Sequence, residues 1–109
     1  MKNWFKILQE NHLTSSDYRV LFYLFVKMNL QENTVLIKQQ KIAEQLTLNK
    51  GNISKCIKRL SKKQFVVKTA DGFMVNPHLF YIGSEYTQMR QLFDELLAIE
   101  GIQSHFHRI

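Results

Sequence analysis

Apolar residues recur along this chain with two different periods, and the switches between them outline its elements. In LTSSDYRVLFYLFVKM, Val20, Leu21, Leu24, Phe25 and Met28 fall at helical spacing. Ser15 or Ser16 stands where an N-cap is wanted, with Asp17 in the first turn, so a largely buried helix is expected over about 16–29. TVLI, residues 34–37, is β-branched and bounded by QEN, which reads as a short strand. QQKIAEQL, 39–46, turns Ile42, Ala43 and Leu46 to one side of a short helix. A turn of Thr47, Leu48 and Asn49 follows, and Asn49 is a natural N-cap for the next helix. There Ile53, Ile57 and Leu60 make one apolar stripe at i, i+4 and i+7.

QFVVKTADGFMVN then holds two β-rich runs joined through Asp71-Gly72, a strong hairpin signal, and Asn76-Pro77 stops the second run. SEYTQMRQLFDELLAIEG begins with Ser84 as N-cap and ends at Gly101. Its Tyr86, Met89, Phe93 and Leu96 have heptad-like spacing. Ahead of all this, residues 2–10 put Trp4, Phe5 and Leu8 on one side of a short helix that would pack on the core.

The order is helix, strand, helix, turn, helix, hairpin, helix. The fold class expected is α+β, mainly α with a small β-hairpin: a winged helix-turn-helix with an additional C-terminal helix. With 109 residues, no internal repeat and no linker-like tract, the chain reads as a single domain over 1–109. Its core would span about 13–83, followed by the C-terminal helix at about 84–100.

Charge changes the picture because of where it sits. The chain carries +6, yet residues 38–63 hold eight of its fifteen Lys and Arg against Glu44 alone, a local sum of +7. The remainder sums to −1, so the excess lies in one quarter of the sequence, the footprint of a polyanion-binding face. Cys56 is the only cysteine, which excludes an intramolecular disulfide and a thiolate zinc site and suits a reducing cytoplasm. No apolar run approaches the length of a membrane helix, and MKNWFKILQENH lacks the pattern of a signal peptide. A soluble cytoplasmic protein is expected, with no membrane partner.

An α-helix fits the major groove of B-DNA, and a partner helix across a tight turn fixes its angle. Ala43 is small enough for close helix approach, while Ile53, Ile57 and Leu60 face the partner. The outward positions Lys50, Asn52, Ser54, Lys55, Lys58 and Arg59 are then available to double-stranded DNA. Lys58, Arg59, Lys62 and Lys63, joined by Lys38 and Lys41, read as phosphate contacts, which position without specifying. Asn52 could pair with adenine and Lys55 could reach guanine. Gly51, at the helix start, either lets the backbone approach DNA or is simply tolerated there. Lys68 and Thr69 lie near the tip of the wing, although that hairpin could equally serve only to complete the sheet. The bland alternative for the whole face is solvated surface charge.

Other constellations carry less. His105-Phe106-His107 matches the His-hydrophobic-His pattern of metal-dependent nicking enzymes, but it falls beyond Gly101 with no strand to hold it, so a surface tail is expected. Tyr18, Tyr23, Tyr81 and Tyr86 read as core or interface aromatics, Asp94-Glu95 as a helix surface pair, and Cys56 as a small buried residue. No phosphate loop is present, so neither enzyme activity, nor a cofactor, nor a small-molecule ligand is expected. The apolar load of the last helix, on Tyr86, Met89, Phe93 and Leu96, exceeds what a small core needs. A homodimer through it is expected, aided by Trp4 and Phe5.

From about Leu13 to Gly83 the chain resembles the RepL-type plasmid replication proteins. The carriers are LTSSDYRVLFYLFVKM, KQQKIAEQLTLNKGNISKCIKRLSKKQFV and above all DGFMVNPHLFYIG; the first two blocks are shared with MarR-like regulators. The resemblance implies a DNA-binding role in plasmid replication initiation or copy control. Only the helix over 49–62 carries over as DNA-contacting, while Asn76 and Pro77 would end the wing strand and redirect the chain. The alternatives are a winged-helix transcription regulator, an accessory protein of plasmid transfer or maintenance, and a protein interaction module that binds no DNA.

Overall fold

The computed structural model describes residues 12–101. Its elements run α1 (Ser15–Lys27), β1 (Thr34–Val35), α2 (Gln39–Leu46), α3 (Lys50–Lys62), β2 (Val66–Lys68), β3 (Phe73–Val75) and α4 (Tyr86–Ile99). The fold is mixed α+β, a winged helix-turn-helix carrying a C-terminal helix. The expected helix over 2–10 lies outside the described residues.

Thr14 caps α1, in place of the expected Ser15 or Ser16. Its hydroxyl accepts from the Asp17 N–H at 3.1 Å, while the Asp17 carboxylate accepts from the Thr14 N–H at 3.0 Å. This reciprocal box needs its acid three residues after the cap, so Asp17 sets the register. The helix stops at Lys27, two residues short of expectation, because Met28 is already extended and Asn29 bridges to Thr34. β1 is likewise shorter than TVLI. Leu36 lies beyond its end, 78% exposed, where the chain leaves for α2.

The turn between α2 and α3 closes with Thr47 in the left-handed region, φ 56°, and the Leu48 N–H reaching the Ala43 carbonyl at 2.9 Å. This is the hydrogen-bond pattern of a helix end usually given to glycine. Asn49 caps α3 as expected, accepting from the Asn52 N–H at 2.7 Å. At its other end Gln64 repeats the Thr47 conformation with φ 62°, and the Phe65 N–H donates to the Leu60 carbonyl.

The sheet is antiparallel in the order β1-β3-β2, with Val67 opposite Met74 and Val35 opposite Phe73. Strand alternation sends Val35, Val66, Phe73 and Val75 into the main core with Val20, Leu21, Leu24, Ile42, Ile53, Ile57 and Leu60. Val67 and Met74 point the other way and meet Phe93 and Leu97 of α4. The hairpin is therefore covered on both faces. A Cβ at Gly72 would lie 1.9 Å from the Val35 carbonyl oxygen, so only glycine lets β1 pass the hairpin turn.

Asn76 shows why the second strand ends as it does. Its side chain is buried, donates to the Gln64 carbonyl at 2.7 Å and accepts from the His78 N–H at 2.8 Å. The chain turns there through Pro77, tied to the end of α3 and away from solvent. Ser84 does not cap α4. It is engaged by Gln31, whose side chain accepts from the Ser84 N–H and donates to its hydroxyl. Glu85 holds the cap position without a side-chain bond.

Candidate nucleic-acid interface

Helix α3 presents the candidate surface because its other side is fully committed. Ile53, Cys56, Ile57 and Leu60 are buried, and α3 packs against α1, α2 and β2. What remains outward is Lys50, Gly51, Asn52, Ser54, Lys55, Lys58 and Lys62, all exposed, with no acid in the helix. Lys63 is partly buried at the C-cap. The Asn52 backbone is held by Asn49, so its side chain projects from a fixed point.

Arg59 behaves differently from the lysines around it. Its Nε donates to both carboxylate oxygens of Asp17, at 3.0 and 2.9 Å, and Asp17 is completely buried. Burial alone would raise the Asp17 pKa. Hydrogen bonds from Arg59, the Thr14 N–H and the Cys56 thiol outweigh it and hold the carboxyl below its ordinary value. The Cys56 thiol is pushed up, by its own burial and then by the Asp17 carboxylate, the opposite of an activated cysteine. Among the described residues the side-chain ion pair is Arg59–Asp17, and His78 Nε2 meets the Asp94 carboxylate by a hydrogen bond. The lysines of α3 therefore keep their charge toward solvent.

Cations from two other elements gather beside this face. One groove is bordered by Ser54, Lys58 and Ser61 of α3, Gln39 of α2, Lys68 of β2 and Glu100 just past α4. A second, sharing Gln39 and Lys68, reaches Lys38 at the N-cap of α2 and Asp71 in the hairpin loop. Lys38, Lys58 and Lys68, up to 30 positions apart in sequence, thus border adjoining grooves. Lys41 is exposed on α2. Lys68 sits within β2 rather than at the loop tip, and Thr69 is partly buried with its N–H donated to the Gly72 carbonyl.

Gly51 has room. A Cβ there would meet only the Asn49 Oδ1, at 3.5 Å, an ordinary contact, so the fold does not require glycine at this position. On α4, Phe93 is completely buried against the sheet and cannot form part of a dimer face, correcting the heptad reading. Met89 and Leu96 are partly buried, Tyr86 is exposed, and the apolar side chains left outward are Leu92 and Ile99. Asp94 is not a plain surface residue, since its carboxylate meets His78 Nε2 at 2.9 Å.

Sequence reasoning missed the Asp17–Arg59 pair, although a signal was present. Asp17 lies at i−4 from Leu21 and i−7 from Leu24, on the buried stripe of α1, where an acid needs a cation. Gln39 was missed too, having no charge to mark it. Among the described residues no helix is long and apolar enough to cross a membrane. No group of three or more His, Cys, Asp or Glu among them could hold a metal ion. His105 and His107 lie outside the described residues.

A family model described as Firmicute plasmid replication protein (RepL) matches residues 4–100. Among curated proteins and solved structures, none matches the chain.

Proposed function

The chain belongs to the RepL family of Firmicute plasmid replication proteins, and from that premise we propose that it binds double-stranded DNA to initiate plasmid replication or control copy number. Helix α3 would enter the major groove. Asn52 and Lys55 would meet base edges, Ser54 and the bare backbone at Gly51 would lie against the DNA, and Lys50, Lys58 and Lys62 would meet phosphates. Lys38, Lys41 and Lys68, with Thr69, would extend the phosphate contacts to α2 and the wing. The protein would act in the cytoplasm, as a binder and not as an enzyme.

One observation carries this reading: Lys38 at the N-cap of α2, Lys58 of α3 and Lys68 of β2 border adjoining grooves, each with a single acid on its border, Asp71 or Glu100, beside an acid-free helix whose reverse side is buried. A merely solvated charge run gives no reason for three separate elements to supply it. The test is the salt dependence of duplex binding. Six phosphate contacts give a log–log slope of about −5, from roughly −0.9 per contact. A flat dependence, or no binding to any duplex, overturns the proposal in favour of a protein interaction surface.

We further propose that two copies associate through α4, which would present paired recognition helices to half-sites about 34 Å apart. Met89, Leu92, Leu96 and Ile99 fall at i, i+3, i+7 and i+10; Met89 and Leu96 pack at the edge of the Phe93–Leu97 cluster, and Leu92 and Ile99 beside them leave an exposed apolar strip. Leu92→Glu should yield a monomer by mass measurement. A wild-type mass already equal to one chain ends the dimer proposal.

A further inference from the structure

Arg59 lies among the cations of α3, yet its geometry separates it from them. Its Nε is shared between both oxygens of a completely buried carboxylate, which also accepts from the Thr14 N–H. The Asp17 carboxylate neutralises the guanidinium, so the pair offers no net charge to a polyanion. The Arg59 side chain is 40% exposed, but drawing it off Asp17 to follow a phosphate would leave that buried carboxylate charged in the core. The lysines on either side, Lys58 and Lys62, have no such tie among the described residues and stand exposed.

The place of the pair in the fold matters as much. Asp17 is the third residue of α1 and its oxygens complete the capping box, so it cannot shift without unmaking the start of that helix. Arg59 sits beside the apolar stripe of α3, one position before the buried Leu60 and three after Cys56, whose sulfur accepts from Arg59 Nη2 at 3.9 Å. Hydrophobic contact along Ile53, Ile57 and Leu60 holds α3 down but is non-directional. An ion pair to a fixed oxygen pair is directional, and it resists both rotation and sliding of α3 on α1.

We infer that Arg59 is a positioning residue, not a phosphate contact: with Asp17 it sets the angle at which α3 presents Asn52 and Lys55. This inference rests on the DNA-binding reading. It separates two quantities that a phosphate contact would couple. Removing the pair should lower discrimination between sequences while leaving the number of released counterions unchanged.

The test compares wild type, Lys58→Ala and the double variant Asp17→Asn with Arg59→Gln. The double variant removes the charged two-oxygen bridge that fixes the angle and strands no buried charge, so it spares the core while freeing α3 to shift on α1. Each protein is titrated, over a range of salt, against a duplex that wild type selects from a random pool and against a scrambled duplex. The double variant should keep the wild-type salt slope and lose about tenfold in discrimination, the scale of one misaligned base contact. Lys58→Ala should do the reverse, reducing the slope by about 0.9 with discrimination intact. A double variant whose slope also falls by about 0.9, or whose discrimination matches wild type, overturns the inference while leaving DNA binding standing. A wild type that binds no duplex removes the DNA-binding reading and this inference together.

Discussion

Helices α3 and α4 are both amphipathic and nearly equal in length, yet they are held in different ways. α3 is fastened at both ends, by the Asn49 cap and by the reversed turn at Gln64, and along its middle by four buried side chains and an ion pair. α4 lacks a side-chain cap and buries only Phe93 and Leu97, both against the hairpin. The outer sides differ too. α3 shows lysines and small polar residues, whereas α4 leaves Leu92 and Ile99 in water. A helix fixed on three sides can hold a reading surface at a set angle. A helix fixed on one side has apolar area to spare for a partner.

Core truncation should separate the two helices most strongly. Leu60→Ala in α3 should cost about 2–5 kcal/mol in denaturant unfolding, since the side chain is fully buried among three helices. Leu92→Ala in α4, measured at concentrations where the chain is monomeric, should stay within about 0.5 kcal/mol. Equal losses would mean that α4 is as firmly seated as α3.

Acid should loosen the seat of α3 on α1. The Asp17 carboxyl is held below its ordinary value in the folded chain, so its ion pair stabilises fully above that ordinary value. The contribution disappears as pH falls through the lowered folded value. Asp17→Asn should cost roughly 1–3 kcal/mol near neutral pH and should flatten the acid side of the stability profile. A variant with the wild-type acid limb would place that titration elsewhere.

Two small effects test the turn of the helix-turn-helix. Gly51→Ala should raise stability by somewhat less than about 1 kcal/mol, because the site has room and Ala favours helix. Unchanged duplex binding would mark Gly51 as tolerated, and weakened binding would place the helix start against DNA. Thr47→Gly should gain about 0.5 kcal/mol by relieving a β-branched residue at φ 56°. A loss there would mean that the Thr47 side chain makes a contact of its own.

Most of the architecture was legible because it follows from periods of 3.6 and 2 and from short-range caps. The stripe of Ile53, Ile57 and Leu60, the Asn49 cap, the Asp71-Gly72 hairpin and the redirecting role of Asn76-Pro77 all appear as expected. What was illegible depends on partners far away in sequence. Arg59 looks like Lys58 until Asp17, 42 positions earlier, is placed beside it. Phe93 looks available until the hairpin shows which side of α4 is covered. Ser84 looks like a cap until Gln31 takes it.

The two-sided burial of the hairpin has a consequence for how faithfully it forms. In a sheet wet on one face, a slip by one residue would drive apolar side chains into water and be rejected. Here Val66 and Val67, or Met74 and Val75, would find apolar surroundings on either side, so hydrophobicity alone tolerates the mistake. Alignment falls instead to the two ends: Gly72, where any side chain would strike the Val35 carbonyl, and Asn76, clasped between Gln64 and His78. These two residues act as the alignment marks of the wing, and altering either should populate misregistered chains even where the native contacts remain sound.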